Sequence, residues 1–253
     1  VQVQKTVPEK TADFRFVGVL RDFLRDAVSG RMHSYGFSGK PSIKDAIEAQ
    51  GVPHTEVDRI LVDEESVGFD YSLRDGDRVV VHPFSGDSTS QPVVPLREAL
   101  PREPMFVVDV NLGKLAKWLR LLGFDTEYQN DLTDAEIASI AARELRVVLT
   151  RDRRLLHQKI ITHGYFVRSN LPEEQITEIL DRFQLDGQRE PFRRCLECNG
   201  RIRAVEKEIV LDQLPPRTRI HYDRFFRCDR CNRVYWKGPH YERLRRKIIQ
   251  VAR

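Results

Sequence analysis

Apolar and polar residues alternate with two different periods along this chain, and the changes of period mark its parts. Short stretches of strand character occur at Phe14–Leu20, Arg31–Phe37, Arg59–Val62 and Arg78–His82. Between the second and third lies PSIKDAIEAQ, residues 41–50. Pro41 stands at a first helical turn, and Ser42, Ile43, Ala46 and Ile47 recur at helical spacing. Asp75-Gly76-Asp77 predicts a turn before the last strand. Strand, strand, helix, strand, strand is the order of a β-grasp unit. The polar residues 1–12 read as a loose tail.

Ser85–Pro95 (SGDSTSQPVVP) is rich in Ser, Gly and Pro and reads as a linker. Beyond it strand and helix patterns alternate. Met105–Asp109 predicts a strand. Leu112, Leu115, Ala116, Leu119 and Leu122 then recur at helical spacing, and Gly123 ends the helix. Phe124–Tyr128, Arg146–Thr150 and Tyr165–Val167 read as further strands, with helices over Thr133–Glu144 and Pro172–Phe183. Such alternation predicts an α/β domain with a parallel sheet in three layers. The expected division is a β-grasp domain over 1–88, a linker over 89–103, an α/β domain over 104–188, and a cysteine-bearing segment over 189–253.

The chemistry of the α/β part gathers at strand ends. Asp109 and Asp152 each follow an apolar run, which places them at carboxyl ends of strands, where open α/β sheets bind ligands. Asp131, Asp134 and Glu136 lie in NDLTDAEIA and are candidates for a third acid. Clustered carboxylates resist ionising together unless a cation neutralises them, and hard ions such as Mg²⁺ or Mn²⁺ take oxygen ligands. Each acid also has a structural explanation. Thr133 and Glu136 have capping-box spacing, so Asp134 would favour a helix dipole. Asp109 and Asp152 could each cap the helix that follows.

Four cysteines form two pairs, Cys195/Cys198 and Cys228/Cys231, separated by 29 residues. Two CxxC knuckles predict tetrahedral thiolate coordination of a structural Zn²⁺. Each knuckle is followed by an Asn, which tolerates a left-handed turn. Paired CxxC motifs that read as metal ligands fit a reducing compartment. No run approaches the ~20 apolar residues of a membrane span, and VQVQKTVPEKTADF has no apolar signal core. A cytoplasmic location without membrane attachment is expected.

The net charge of +4 conceals an asymmetry. Residues 189–253 hold 18 Lys/Arg and 8 Asp/Glu, a net of +10, which leaves −6 for the rest. Tyr222, Phe225, Phe226, Tyr235, Trp236 and Tyr241 lie among these arginines. Interleaved aromatics and cations can stack bases and bind phosphates, or the rings can simply fill a small core. Phe226 and Tyr235 are expected to be buried. Trp236, together with Arg243, Arg245, Arg246 and Lys247 of the terminal basic helix, makes a candidate RNA surface.

Two resemblances extend this reading. VGFDYSLRDGDRVVVHPF and PSIKDAIEAQGVP resemble ubiquitin-like domains of the small sulfur-carrier type. Such carriers act through a free C-terminal Gly-Gly. Here the last strand runs on into SGDSTSQPVVP, so carrier chemistry is excluded and a docking role for a protein or ribosomal partner remains. VVDVNLGKLAKWLRLLGFDTEY and DLTDAEIASIAARELRVVLTRDRRLL, followed by CLECNG…CDRCNRVYWKGPHYERL, resemble the Mut-seven C-terminal RNase family, a branch of the PIN-like nucleases. A fused β-grasp unit also occurs in that family. The resemblance implies a PIN-like fold with a C-terminal zinc ribbon and basic helix over 189–253, and metal-dependent hydrolysis of RNA, with tRNA or ribosome-associated RNA among the candidates. It places Asp109, Asp134 and Asp152 as Mg²⁺ or Mn²⁺ ligands, Asp152 within Thr150-Arg151-Asp152. A fourth acid is missing after Tyr165, and Asn111 or Asp131 could substitute. Lys114, Arg120 and Arg151 are candidate phosphate clamps. The competing reading is a non-catalytic RNA- or ribosome-binding adaptor with a degenerate nuclease fold.

Overall fold

The computed structural model describes residues 9–24, 30–83 and 94–251. Residues 1–8 of the expected tail and 85–93 of the expected linker lie outside the described residues. The chain forms two compact units. One takes Val1–Ala99 together with Asp152–Phe166, the other Leu100–Arg151 together with Val167–Arg253.

The first unit contains β1 (Lys10–Phe16), β2 (His33–Phe37), α1 (Ile43–Ala49), β3 (Val57–Val62), β4 (Glu65–Val67) and β5 (Arg78–Pro83). The strands run in the order β2-β1-β5-β3-β4. β1 is antiparallel to β2 and parallel to β5, which is the β-grasp arrangement expected. Ser42 caps α1 by accepting from Asp45 N–H at 3.1 Å. Ile43, Ala46 and Ile47 then face Phe14, Phe16, Ile60 and Val81 in one core. Burying each large apolar side chain contributes about 1.5–3 kcal/mol.

Three local expectations are corrected. β1 begins at Lys10, inside the stretch read as tail, because Ala12, Phe14 and Phe16 alternate inward while Thr11, Asp13 and Arg15 stay exposed. It also ends at Phe16 rather than Leu20. Gly18–Phe23 instead forms a tight helical turn that buries Leu20 and Phe23. β4 was not expected. Its hairpin turn places Asp63 and Glu64 at φ +47° and +73°. Two left-handed central residues are what a tight hairpin requires, but Asn-Gly or Asp-Gly normally signals them.

The first unit also takes Asp152–Phe166. It holds α4 (Arg153–Leu156) and β9 (Gly164–Phe166). The buried His54 lies 2.6 Å from Glu48 Oε1 through Nδ1 and 2.9 Å from the Ile161 carbonyl through Nε2. Phe166 N–H donates to Glu56 Oε1 at 2.6 Å. The Arg153 guanidinium lies over the Phe23 and Phe166 rings, at 5.0 and 5.5 Å. Burial opposes ionisation of Glu48, yet hydrogen bonds from His157 and His54 hold its carboxyl down at about 2.

The second unit is built on β6 (Phe106–Val108), which lies between β7 (Thr126–Glu127) and β8 (Val147–Thr150) and runs parallel to both. All of β6 and β8 is buried. Helices α2 (Gly113–Leu121), α3 (Asp134–Glu144) and α5 (Pro172–Phe183) flank the strands. Gly123, at φ +100°, ends α2 as expected and has a second reason to be glycine. A Cβ there would strike the backbone of Glu190.

From Ile202 the chain forms a three-stranded antiparallel sheet of β10 (Ile202–Val205), β11 (Phe225–Cys228) and β12 (Val234–Trp236). Helices α6 (Lys207–Val210) and α7 (Pro216–His221) connect the first two strands, and α8 (Pro239–Val251) follows the third. Its small core holds Phe225, Val210 and Leu214. The buried ring is therefore Phe225. Phe226 and Tyr235 are half-buried instead, because Phe225 is the strand residue that faces the two aliphatic side chains. Backbone bonds join this part to the end of α2: Glu190 N–H donates to Leu122 O and Phe192 N–H to Leu121 O, at 2.9 and 3.0 Å. Among the described residues no helix is long and apolar enough to cross a membrane.

Candidate functional site

Asp109 follows β6 at its carboxyl end, before a single turn, Val110–Leu112, leads into α2. The residue is 4% exposed. It makes no capping bond to the following turn, which removes the structural explanation the sequence left open. Instead Oδ2 accepts a hydrogen bond from Thr150 Oγ1 at 2.6 Å. Thr150 ends β8, so two adjacent parallel strands fix this carboxylate. Among the described residues no cation pairs with it.

The other expected acids have structural tasks. Thr133 accepts from Glu136 N–H at 3.3 Å, and the Glu136 carboxylate accepts from Thr133 N–H at 2.8 Å. The capping box is present, and Asp134 stands exposed at the first position of α3, where the helix dipole favours an acid. Asp152 caps α4 by accepting from Arg154 N–H at 2.8 Å. Asp131 is exposed. Among the described residues the four cysteines are the only group of three or more His, Cys, Asp or Glu whose ligand atoms all lie within 4.8 Å of one another. Mg²⁺ commonly keeps several waters and takes one or two carboxylates together with substrate phosphate. Asp109 alone therefore meets the minimum of that donor set, and a three-acid cage is not required.

A cleft of about 480 Å³ opens two residues beyond Asp109, at Asn111. Lys114, Lys117, Tyr128, Asn130 and Asn170 also line it. The Tyr128 hydroxyl lies 3.1 Å from the Val110 carbonyl and 2.8 Å from Asn130 Oδ1. A Cβ at Gly113 would displace that hydroxyl, so glycine lets the Tyr128 ring sit against α2. Lys114 is exposed in this cleft, as a phosphate clamp would need. Lys117, one turn later on the same helix, was visible in the spacing and was missed. Tyr128, Asn130 and Asn170 carried no comparable signal, because tertiary folding alone brings them to α2. Arg151 is half-buried and donates to the Ser169 carbonyl at 2.5 Å.

Arg120 is not a phosphate clamp. It is 2% exposed. Its Nε donates to the Thr126 carbonyl, Nη2 to that of Tyr128, and Nη1 to those of Leu196 and Glu197. Four carbonyls thus use the guanidinium, two of them in the first cysteine knuckle. Asn199 strengthens the same joint: its Oδ1 accepts from Thr126 N–H at 3.0 Å and its Nδ2 donates to Asp125 at 2.8 Å. Burial works against ionised Asp125, but Arg146 and Asn199 hold its carboxyl below the usual range.

The four cysteines converge as expected. Sγ of Cys195 lies 3.7 Å from that of Cys231, and Sγ of Cys198 lies 3.4 Å from that of Cys228. Asn199 and Asn232 take the left-handed turn, at φ +65° and +60°. Their N–H groups donate to the carbonyls of Cys195 and Cys228. Burial pushes the thiols of Cys198 and Cys231 up. At Cys195 burial is outweighed by the Tyr235 hydroxyl, 2.9 Å from Sγ, and by backbone N–H groups, so this thiol is pulled down. Four thiolates this close need a cation, and the donor set fits soft, tetrahedral Zn²⁺.

Trp236 is half-buried against the small core. On α8, Arg243, Arg245, Arg246 and Lys247 are all exposed. Arg245 lies 3.6 Å from Glu242, and Lys247 lies 6.0 Å over the Trp118 ring.

These features define the class: a parallel α/β unit with a buried carboxylate at a strand end and a four-cysteine cluster, preceded in the chain by a β-grasp sheet. Comparison with known families agrees. Residues 104–248 match the family model described as the Mut7-C RNAse domain, and residues 9–89 match the model described as Mut7-C ubiquitin. The chain belongs to the Mut7-C RNAse domain family. No curated protein and no solved structure matches it.

Proposed function

We propose that this protein is a metal-dependent ribonuclease whose central ligand is Asp109. The observation that carries the reading is the buried Asp109 carboxylate, which Thr150 holds and no cation among the described residues neutralises. Mg²⁺ or Mn²⁺ bound there would supply charge neutralisation and a water made nucleophilic near neutral pH. Thr150 orients one carboxylate oxygen and leaves the other for the ion. Lys114 and Lys117 hold a phosphate in the cleft, with Arg151 as a further clamp. Asp134 and Asp152 are the additional acids that the sequence resemblance implies. Zn²⁺ on Cys195, Cys198, Cys228 and Cys231 is structural, since a closed four-thiolate site leaves no open position. Trp236 and the α8 cations gather RNA, and the ubiquitin-like unit docks a protein or ribosomal partner. Paired CxxC metal ligands fit a reducing compartment, here the cytoplasm.

The test is cleavage of single-stranded RNA with Mg²⁺ or Mn²⁺ supplied. Wild-type protein should cleave, and Asp109→Asn should not, while keeping its fold. Full activity in the variant would sink the assignment. A second reading, a non-catalytic RNA-binding adaptor, draws on the structural tasks of Asp134 and Asp152. It predicts RNA retention in EDTA and no cleavage under any divalent ion.

A further inference from the structure

Close to the four-cysteine cluster lies a cavity of about 660 Å³ to which the roles above assign no occupant. Its walls carry the aromatic rings of Phe192, Phe226, Trp236 and Tyr241. Sites that enclose small organic molecules span roughly 300–1,000 Å³. Two observations separate this cavity from a packing defect. Phe192 stands at φ +67°, a left-handed conformation that is uncommon for a bulky residue. Such strain persists where surrounding structure enforces it, often at ligand clamps. The strained backbone sets the Phe192 ring 4.4 Å from that of Tyr241, tilted by 37°.

The second observation is charge. Lys237 is exposed, with Nζ 5.6 Å over the Tyr241 ring. Arg193 and Arg233 also line the cavity. Their acidic partners, Glu190 and Glu197, are exposed, and exposed pairs of this kind are weak enough to exchange for phosphate. Flat rings inside and cations at the rim fit a planar heterocycle carried on a phosphate backbone.

We propose that this cavity receives an unstacked nucleobase of single-stranded RNA, with an adjoining phosphate on Lys237. Phe192 and Tyr241 supply the stacking surface, while Trp236 is partly committed to the ribbon core. The proposal rests on the reading that the protein engages RNA, and on none of its catalytic assignments.

The experiment is fluorescence anisotropy with the full, zinc-replete chain, without Mg²⁺ or Mn²⁺, so that nothing is cleaved. The probes are a short labelled oligoribonucleotide, its blunt duplex, and the same strand made abasic. The single strand should bind more tightly than the duplex or the abasic strand. Tyr241→Ala should weaken single-strand binding by about five- to hundredfold and leave duplex binding unchanged. Lys237→Gln should flatten the salt dependence by about 0.7 in log affinity against log salt. Phe192→Gly removes the ring and relieves the backbone, so it guards against a folding defect in the other variants. Folded Tyr241→Ala and Phe192→Gly proteins that bind the single strand like wild type would overturn the proposal, as would equal affinity for duplex and single strand. A protein that cleaves RNA through Asp109 yet shows no Tyr241 effect loses this site alone. One that shows the Tyr241 effect but never cleaves keeps the site and loses the nuclease reading.

Discussion

Arg120 carries its charge into a nearly closed space and gives it to four carbonyls, two of them at the first cysteine knuckle. Desolvation pushes its pKa down, while Glu127 and the cysteines push it back up. Replacing it by Gln strands several buried acceptors, and the expected loss is about 3 kcal/mol or more. Lys114→Ala, on the exposed face of the same helix, should stay within about 0.5 kcal/mol. Urea midpoints of the two variants check this, and equal midpoints would refute the structural role. Nothing in the local pattern could reveal it, because the decisive carbonyls of Leu196 and Glu197 lie 76 and 77 residues away. Asp109 was legible for the opposite reason: an apolar run that stops at an acid encodes a strand end by itself.

Among the elements, α4 separates a chemical role from a structural one. Asp152 caps this short helix, and Asn caps about as well as Asp whereas Ala does not. Asp152→Asn should therefore keep wild-type stability, and Asp152→Ala should lose about 1 kcal/mol. Thermal unfolding measures both, and an Asn variant as unstable as the Ala variant would show that more than the cap is at stake. Elements with strong local codes were readable: α5 runs from Pro172 to Phe183 as its pattern predicts, and the Thr133–Glu136 box opens α3. The β4 hairpin was not readable, since Asp63-Glu64 lacks the residues that usually permit its turn. β1 was cut short in the reading because charged residues on its exposed face diluted the apolar alternation.

At the scale of the molecule, sequence order and compact units diverge. Asp152–Phe166 depends on Phe23, His54 and Glu56 for its contacts. Removing residues 1–88 would strip this segment of those partners, so the truncated chain should be less stable and more readily proteolysed within 152–166. Limited proteolysis with mass spectrometry tests this, and an unchanged cleavage pattern there would contradict it. Zinc removal should likewise reach beyond the ribbon. Arg120 and Asn199 join the first knuckle to β7 and its flanks, so chelation should deprotect the amides of Phe124–Tyr128 in hydrogen exchange as well as residues 195–236. Protection lost only in the ribbon would show that the joint is weaker than its hydrogen bonds suggest.

The central claim is that Asp109 holds a divalent cation. Its most direct test is Mn²⁺ binding to zinc-replete protein without RNA, followed by electron paramagnetic resonance of the free ion. With the cysteines occupied, wild-type protein should take up Mn²⁺ at a site that Asp109→Asn weakens by at least about tenfold, since even losing a group that only supports a ligand costs 10–100-fold. Identical Mn²⁺ binding by a folded Asp109→Asn protein would contradict the account.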